Sequence, residues 1–173
     1  MSTHPSTTGA VLIRPARPDE ALGVAQVHIL ADRETYEPLF GAHFEAVDVD
    51  RSQLRWDTAL SAGDVLLVAE AAGRVVGFAH ATPTWMSALY LLSTHLRRGI
   101  GLDLLVALCE ALQARGVAEI GFKAVATNVN ALAFYEAVGA RAVGRETQGQ
   151  GAGRWEEIIF ALATDAPAAF RRT

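Results

Sequence analysis

Short apolar runs, each bounded by Gly, Pro or polar residues, recur along the chain and predict β-strands. The first run ends at Pro15, which cannot donate a hydrogen bond to a neighbouring strand and therefore favours the edge of a sheet. A turn at Ala72-Gly73 joins two later runs into a hairpin. The predicted strands cover residues 11–14, 65–70, 74–81, 87–92, 118–126, about 141–146 and about 154–162.

Segments with apolar residues three or four positions apart lie between these runs and predict helices. The first helix starts at Pro18-Asp19-Glu20, because proline and acids suit the unpaired N–H groups of a first turn, and it ends near Asp32. Residues 34–45 contain Pro38 and Gly41 and are predicted to form a loop. The other predicted helices cover 49–60, 102–115 and 131–138.

The predicted order β-α-α-β-β-β-α-β-α-β-β mixes hairpins with helical crossovers. Because a fully parallel sheet needs a crossover between every pair of strands, this order predicts an α/β (α+β mixed) fold. We expect a central mixed, largely antiparallel β-sheet with helices on both faces. A chain of 173 residues suits one domain, which we assign to 11–165. Residues 1–10 are predicted to be a flexible N-terminal tail and residues 166–173 a C-terminal tail.

The composition is that of a globular protein, with 51% hydrophobic and 20% charged residues. The net charge of −4 argues against a nucleic-acid partner. The apolar runs are far shorter than the roughly 18 residues that span a membrane, and the polar N-terminus lacks signal-peptide features. We therefore expect a cytoplasmic protein without a membrane partner. The single cysteine, Cys109, excludes an internal disulfide and a cysteine-cluster metal site, and no metal is predicted.

The most informative segment is a strand–loop–helix unit from Leu89 to Leu105, whose loop reads Arg97-Arg98-Gly99-Ile100-Gly101. N–H groups at a helix start point into such a turn, glycines let an anion approach the main chain, and arginines attract phosphate oxygens. The loop therefore predicts a pyrophosphate site. The alternative is that Gly99 and Gly101 only shape a tight turn, because short glycine patterns often occur without a ligand.

Two other nucleotide-binding loops were weighed against this segment. A Walker loop is excluded, because Leu102-Asp103 follows the glycines where Lys and Ser or Thr would be needed. A dinucleotide fingerprint needs a small residue where Leu104 stands and an acid where Lys123 stands. Because Lys123 could contact a 2′-phosphate, an NADP-type binding module stays open as an alternative.

These residues also carry a resemblance to a known family. The run 89–92 followed by 96–102 resembles the acetyl-CoA signature of the GNAT superfamily of N-acetyltransferases. The opening Ile13-Arg14-Pro15-Ala16 with Asp19 is also typical of this family. The later part of the chain is similar to the family pattern through Asn128, Ala131, Phe134, Tyr135, Glu136 and Gly139.

The resemblance implies a fold in which the strands at 87–92 and 118–126 splay apart at the centre of the sheet. The pantetheine arm of acetyl-CoA would pair with main-chain groups in that opening. Asn128 would contact this arm or shape the cleft; alternatively it is a helix cap or turn former, for which Asn130 is a second candidate. Leu96 stands where the family usually has Gln or Arg, which should weaken binding without abolishing it. The implied acetyl-CoA-binding residues are Leu91, Leu92, Arg97, Arg98, Gly99, Ile100, Gly101, Asn128 and Tyr135.

Acetyl transfer from a thioester needs a neutral amine, a donor for the oxyanion and a proton for the departing thiolate. The resemblance implies that Tyr135 supplies that proton; alternatively it is a core aromatic beside Phe134. The general base stays open, because the strand start Ser87-Ala88-Leu89 lacks the Glu that many family members carry. The candidates are Glu34, Glu37, His80 and a chain of water molecules.

We therefore predict an acetyl-CoA-dependent N-acetyltransferase that acts by direct attack of a primary amine of a small molecule or peptide. Its acceptor pocket is expected to have walls from Tyr36, Trp85, Met86 and Trp155. A non-catalytic CoA-binding or sensing domain of the same fold is the alternative, which the missing strand Glu favours. The last strand, at 154–162, is predicted to support a homodimer.

Overall fold

The computed structural model describes residues 10–170, and its elements follow the predicted order. The strands are β1 (Leu12–Pro15), β2 (Val65–Ala71), β3 (Arg74–Thr82), β4 (Trp85–Leu91), β5 (Glu119–Val125), β6 (Arg141–Gln148) and β7 (Trp155–Ala163). The helices are α1 (Ala21–Phe40), α2 (Val49–Ala62), α3 (Ile100–Gln113) and α4 (Val129–Ala137). Residues 1–9 of the predicted N-terminal tail lie outside the described residues. Ala166–Phe170, within the predicted C-terminal tail, forms a 3₁₀ turn in which Pro167 is buried.

All seven strands form one sheet in the order β1-β2-β3-β4-β5-β7-β6. Every neighbouring pair is antiparallel except β4 and β5, which are parallel. Helices α1 and α2 cover one face, where Trp56 packs edge-on against Phe78, and both side chains are fully buried. Helix α3 and Tyr135 of α4 cover the other face around Leu104 and Phe122. The predicted mixed sheet with helices on both faces is confirmed.

Helix α1 extends to Phe40, so the prediction of a loop over 34–45 is wrong for its first half. Pro38 lies in the last turn, where it removes one hydrogen bond to the carbonyl of Glu34 but leaves only two residues of helix to follow, and Gly41 ends the helix with a φ of 52°. Phe40 stacks on Tyr36, with 5.7 Å between ring centroids, and lies 5.2 Å from the ring of Trp155. These contacts join residues far apart in sequence, which is why local patterns did not reveal the extra turns.

The two central strands are joined at one end only. Among the described residues a single Cα pair, Trp85 with Gly121, connects β4 to β5, and Gly121 N–H donates to the carbonyl of Thr84 over 2.9 Å. The indole of Trp85 lies directly over Gly121, where a Cβ atom would come within 2.7 Å of the ring. The predicted splay is confirmed, with β4 starting at Trp85 and not at Ser87.

Strand β7, which was predicted to support a homodimer, lies inside the sheet. It pairs with β5 along one edge and with β6 along the other. Its backbone therefore has no open edge for a second copy of the chain, and the outer strands of the sheet are β1 and β6. Within residues 10–170, no helix is long and apolar enough to cross a membrane.

A charged cluster ties the edge strand to the first helix. Arg14 on β1 contacts Glu20, immediately before α1, and Glu70 on β2, each over 2.5 Å. Glu20 also accepts the N–H of Arg17 over 2.7 Å. The hydrogen bond from Arg14 is the main reason that the pKa of Glu20 falls from its usual 4.5 to about 2. Ionised Glu20 therefore holds the start of α1 against the sheet.

We expect Glu20→Gln to lower the free energy of unfolding at pH 7 by about 1–3 kcal/mol, because it removes charge-assisted hydrogen bonds from a side chain that is 15% exposed. Since the pKa of Glu20 is lower in the folded state, its stabilisation is complete above about pH 4.5 and is lost as the pH falls toward 2. Urea titrations should show that the difference in the free energy of unfolding between variant and wild type is smaller at pH 3 than at pH 7. Glu156→Gln, at an exposed ion pair with Arg145, is the control and should change stability by less than about 0.5 kcal/mol.

We expect Gly121→Ala to lower the free energy of unfolding by about 1–3 kcal/mol, because the new methyl group overlaps the Trp85 ring. Trp85→Leu in the same chain should remove part of that loss, and a double-mutant cycle measured by urea unfolding isolates this coupling. Gly23→Ala is the matched control. Gly23 lies inside α1, and a Cβ atom there would lie 3.6 Å from Val75, which is an ordinary contact. Because alanine favours a helix more than glycine does, Gly23→Ala should stabilise the protein by about 0.5–1 kcal/mol. Equal effects of the two alanine substitutions would contradict this account of the splay.

Candidate active site

A cleft of about 950 Å³ opens where β4 and β5 separate, between the end of α1 and the starts of α3 and α4. This volume suits a small-molecule ligand. The structure brings together seven of the predicted site residues in its lining, namely Glu34, Leu91, Arg97, Gly99, Gly101, Asn128 and Tyr135. Leu92, Arg98, Ile100, Glu37 and His80 are placed outside that lining.

The predicted pyrophosphate loop forms the turn into α3. Gly99 caps the helix with a φ of 83°, and Arg97 also has a left-handed backbone, with a φ of 63°. Gly99 accepts the N–H of Asp103 over 3.0 Å, so the amides of residues 100–102 precede the first intrahelical donor. A Cβ built on Gly101 meets nothing within 4 Å. The turn therefore has unpaired donors, a positive helix end and open space at one position, the arrangement that an anion needs.

Three of the residues predicted to bind the donor have other side-chain roles. Ile100 is 4% exposed and its side chain packs in the core, although its N–H lies at the helix start. Leu92 donates its N–H to the carbonyl of Val76 over 2.9 Å and packs against both core clusters. Arg98 is exposed beside the loop. The side chains of Leu92, Arg98 and Ile100 therefore do not line the cleft, although their backbone forms part of the turn.

Tyr135 of α4 lies against the cleft from the α3 side of the sheet. Its ring packs 4.4 Å from Phe122 and 5.9 Å from Phe160, and only 9% of the residue is exposed. Burial raises the pKa of its phenol well above the usual 10. The hydroxyl is therefore fully protonated at neutral pH. The core role and the cleft position, which were alternatives in the sequence, occur together in one side chain.

Asn128 caps α4, since its Oδ1 accepts the N–H of Ala131 over 3.2 Å. Asn130 lies inside the helix, so the suggestion that it is the cap is wrong. The side chain of Asn128 also lines the cleft, which leaves its amide N–H₂ group as a donor toward a ligand.

The two acidic candidates for the general base differ in position. Glu34 accepts from the N–H and the hydroxyl of Ser93, over 3.1 and 3.0 Å, and so fastens α1 to the residues after β4. Glu37 is exposed, and the cleft lining does not include it. Glu34 is therefore within the cleft but already bonded, whereas Glu37 is exposed outside the lining.

His80, the third candidate, is 5% exposed on β3 and lies behind the cleft wall. Its Nδ1 is 2.6 Å from the hydroxyl of Ser87, and its Nε2 is 3.0 Å from a carboxylate oxygen of Asp64. Ser87 is exposed and lines the cleft. No local pattern in the sequence points to Ser87 and Asp64 as site residues, because they meet His80 only when two strands and the turn before β2 come together.

The end of the cleft nearest α1 is aromatic. Tyr36 lines it as predicted, and Phe40 contacts both Tyr36 and Trp155, although Trp155 is not part of the cleft lining. Met86 also lines the cleft, but from the core on the α3 side of the sheet. Trp85 instead covers Gly121 at the closed end of the splay, so its placement in this wall is wrong.

Two further polar groups lie at this aromatic end. Tyr90 donates its hydroxyl to Asp32 over 3.1 Å, and burial raises the pKa of both groups. A buried carboxyl beside aromatic rings would attract a cationic ligand.

Lys123 on β5 also lines the cleft but is held by acidic residues. It contacts Glu146, and it lies 3.1 Å from Glu157. These contacts, with that of Glu146 first, raise the pKa of the Lys123 ammonium. Two carboxylates beside this ammonium disfavour a 2′-phosphate there, which weakens the NADP alternative. In the described part of the chain, no group of three or more His, Cys, Asp or Glu could hold a metal ion.

Many solved structures share this fold. The ribosomal-protein-alanine N-acetyltransferase from Brucella melitensis superposes with a TM-score of 0.72 at 24% identity, covering 88% of this chain and 99% of that one. YncA, a putative acetyltransferase from Salmonella typhimurium solved with its cofactor acetyl-CoA, superposes with a TM-score of 0.73 at 20% identity. The match covers 90% of this chain and 95% of that one. PaiA N-acetyltransferase from Thermoplasma acidophilum, in complex with coenzyme A, superposes with a TM-score of 0.68 at 15% identity. The match covers 89% of this chain and 99% of that one.

Sequence comparison identifies the family. The chain has no significant match among curated proteins. The model of the Acetyltransferase (GNAT) family matches residues 20–140, which include β4, the loop into α3, the splay and α4. Because this match covers well over half of the sequence, the chain belongs to the acetyltransferase (GNAT) family.

Proposed function

We propose that this protein is an acetyl-CoA-dependent N-acetyltransferase that acts on a primary amine of a small molecule or peptide. The observation that carries the proposal is the splay, which aligns an unpaired stretch of β4 with the open turn of α3 and with Tyr135 in one cleft. Relatives of the same fold that were solved with acetyl-CoA or coenzyme A support this donor. A thioester bound there would supply an activated acetyl group.

Several of the described residues would suit such a donor. The amides at the start of α3, with Arg97 at the mouth of the turn, would bind the pyrophosphate. The open position at Gly101 leaves room for phosphate oxygens. Beyond the pair of Trp85 with Gly121, the main chain of β4 is free to hydrogen-bond an extended pantetheine arm.

Tyr135 would protonate the departing thiolate. A free thiol has a pKa near 8.5, but a thiolate that forms in the same buried cleft has its pKa raised by burial, as the phenol does. Burial thus raises the pKa of the thiol and of the Tyr135 phenol together, and proton transfer from the phenol to the thiolate stays feasible. The protonated phenol at neutral pH is the form that a donor requires.

The acceptor amine would approach from the aromatic end of the cleft. Tyr36 forms its wall, and Tyr90, which also lines the cleft, is hydrogen-bonded to the Asp32 carboxyl group. Burial raises the pKa of the Tyr36 phenol, and the charges of Asp32 and Glu157 contribute to the same direction. Aromatic faces and carboxyl groups together favour a cationic amine. A homodimer and a cytoplasmic location stay predictions.

A non-catalytic CoA-binding domain remains the second candidate function. The observation that favours it is the start of β4, where Ser87 occupies the region in which many family members carry an acid. Binding of acetyl-CoA without turnover of any amine would select this function. Turnover would eliminate it.

We expect Gly101→Leu to weaken acetyl-CoA binding at least tenfold in calorimetric titration, because the side chain fills the open position at the turn. The variant should unfold at the same temperature as wild type or higher, since leucine favours a helix more than glycine does. Gly23→Ala on α1 is the control and should bind normally, and NADPH should not bind either protein. If Gly101→Leu bound acetyl-CoA as tightly as wild type, the proposal that this turn binds the pyrophosphate would be wrong.

We expect Tyr135→Phe to lower kcat by on the order of 10²–10³ while acetyl-CoA affinity stays within about twofold, because the ring packing is kept and only the proton is lost. The assay follows thiol release from acetyl-CoA with a panel of spermidine, glycinamide and an alanyl peptide. A variant with wild-type kcat would show that Tyr135 is a core aromatic only.

A further inference from the structure

Three side chains form a continuous hydrogen-bonded line from the cleft to the far side of α2. Ser87 is exposed in the cleft, and its Oγ lies 2.6 Å from Nδ1 of His80. Nε2 of the same ring lies 3.0 Å from Oδ2 of Asp64. Asp64, in turn, lines a separate surface groove of about 470 Å³ together with Asp57 and Arg115. The line therefore joins two solvent-accessible spaces through a buried imidazole.

A β-bulge places Ser87 at the cleft end of this line. Ala81 pairs with Met86 and His80 pairs with Ala88, which leaves Ser87 as the extra residue of β4. Such a bulge redirects a side chain out of the regular alternation of a strand, and bulges are over-represented next to active sites. The bulge turns the hydroxyl toward His80 while the residue stays exposed in the cleft.

The hydrogen-bonding capacities set the direction of the line. An ionised Asp64 can only accept, so Nε2 of His80 carries the ring proton and Nδ1 is free to accept the hydroxyl proton of Ser87. The Ser87 oxygen also accepts from Arg55 of α2 over 3.1 Å. A hydroxyl oxygen has two acceptor sites, and the second one faces the cleft.

We propose that Ser87, His80 and Asp64 form a proton relay that serves as the general base of this acetyltransferase, in place of a carboxylate on β4. The inference rests on the proposed function, since it assigns the group that deprotonates the acceptor amine. Ser87 is the catalytic residue that contacts the amine. His80 and Asp64 act through it.

One proton crosses the relay in each turnover, and no bond between heavy atoms changes within it. An N–H bond of the acceptor ammonium breaks and its proton goes to Oγ of Ser87, while the hydroxyl proton of Ser87 moves to Nδ1 of His80. The Nε2 proton passes to the Asp64 carboxylate, from which water in the groove removes it. The neutral amine then attacks the thioester carbonyl, the carbon–sulfur bond breaks, and the thiolate takes the proton of Tyr135. The acylated nitrogen loses its second N–H proton to the Tyr135 phenolate, which restores the phenol. Between turnovers His80 exchanges protons with water at both ends of the relay and regains its Nε2–H form.

The surroundings of His80 keep the ring neutral and ready to accept. Burial lowers the pKa of His80 below its usual 6.5, and the opposing contribution of Asp64 is smaller. Arg55 of α2 faces the ring as well and lowers the pKa further, while Trp56 packs edge-on against it at 5.4 Å. A positively charged ring is thus disfavoured, so a proton that arrives at Nδ1 is passed on at Nε2.

A second buried histidine–serine pair offers a matched control. His28 lies 2.8 Å from the hydroxyl of Ser52, and burial lowers its pKa to about 4. Ser52 is 2% exposed, so this pair does not reach the cleft. Ser52→Ala removes a buried histidine–serine hydrogen bond on the same face of the sheet, together with the bond that Trp56 Nε1 donates to Ser52 over 3.2 Å. It removes no hydrogen bond of Ser87, His80 or Asp64, so it matches the relay variants in its effect on the packing around Trp56.

The first test measures where His80 holds its proton. Two-bond ¹H–¹⁵N spectra of protein labelled with ¹⁵N-histidine, with His80 assigned from the spectrum of His80→Gln, distinguish the two neutral tautomers. We expect the Nε2–H form in wild type at pH 7 and a shift toward the Nδ1–H form in Asp64→Asn. An Nδ1–H ring in wild type would overturn the relay, because that nitrogen could not accept from Ser87.

The second test compares pH profiles of kcat/KM for the amine of the panel that wild type acetylates best. Without the relay, only the neutral fraction of the amine reacts, and that fraction rises tenfold per pH unit below the amine pKa. In Ser87→Ala and His80→Gln, kcat/KM for the amine should therefore fall on the order of 10²-fold near pH 7 and approach the wild-type value near pH 10. Their acetyl-CoA affinity should be unchanged. Ser52→Ala should unfold at a lower temperature but keep the wild-type profile.

The outcomes separate the relay from the function on which it rests. If wild type binds acetyl-CoA but acetylates no amine, the proposed function fails. If wild type is active, the relay alone fails when Ser87→Ala loses the same factor at every pH. An acetyl group found on Ser87 by mass spectrometry after incubation with acetyl-CoA would also overturn the relay, in favour of covalent transfer.

Discussion

The contact between the Trp85 indole and the bare backbone of Gly121 is the constraint on which the cleft depends. It joins two parallel strands at one point, and beyond that point the strands part and leave main-chain groups of β4 unpaired. Unpaired main-chain groups inside a protein are costly unless a ligand or water binds them. A sheet that is opened at its centre therefore needs water or a ligand at these groups, and the structure places the start of α3 and the ring of Tyr135 beside the opening.

The two faces of the sheet divide the chemistry between them. On one side, the turn into α3 and the capped start of α4 present N–H donors and a protonated phenol. On the other, α1 and α2 pack a cluster of aromatic and histidine rings around Trp56, and the relay passes along this cluster. The splay lets groups from both sides line a common space, and in the proposed function donor and acceptor would meet there.

The proposed relay would compensate for an absent carboxylate on β4. Asp64 lies between α2 and β2 and does not line the cleft itself. Hydrogen bonds through His80 transmit its charge to a hydroxyl that is exposed in the cleft. Because the imidazole is buried and faces Arg55, the arrangement favours passing a proton over storing one. A neutral hydroxyl at the cleft also avoids fixing a negative charge beside the thioester.

The sequence by itself determined the element order, the mixed sheet, the turn into α3 and the family, because apolar periodicity and glycine-rich turns are local properties of the chain. Local patterns failed where distant residues decide: the last turns of α1 depend on Phe40 meeting Trp155, and the interior position of β7 depends on strand pairing. The same limit applies to the site. Asn128, Tyr135 and the loop at 97–101 could be predicted because they follow one another along the chain. The bulge at Ser87, and with it the line to His80 and Asp64, exists only once three elements have packed together.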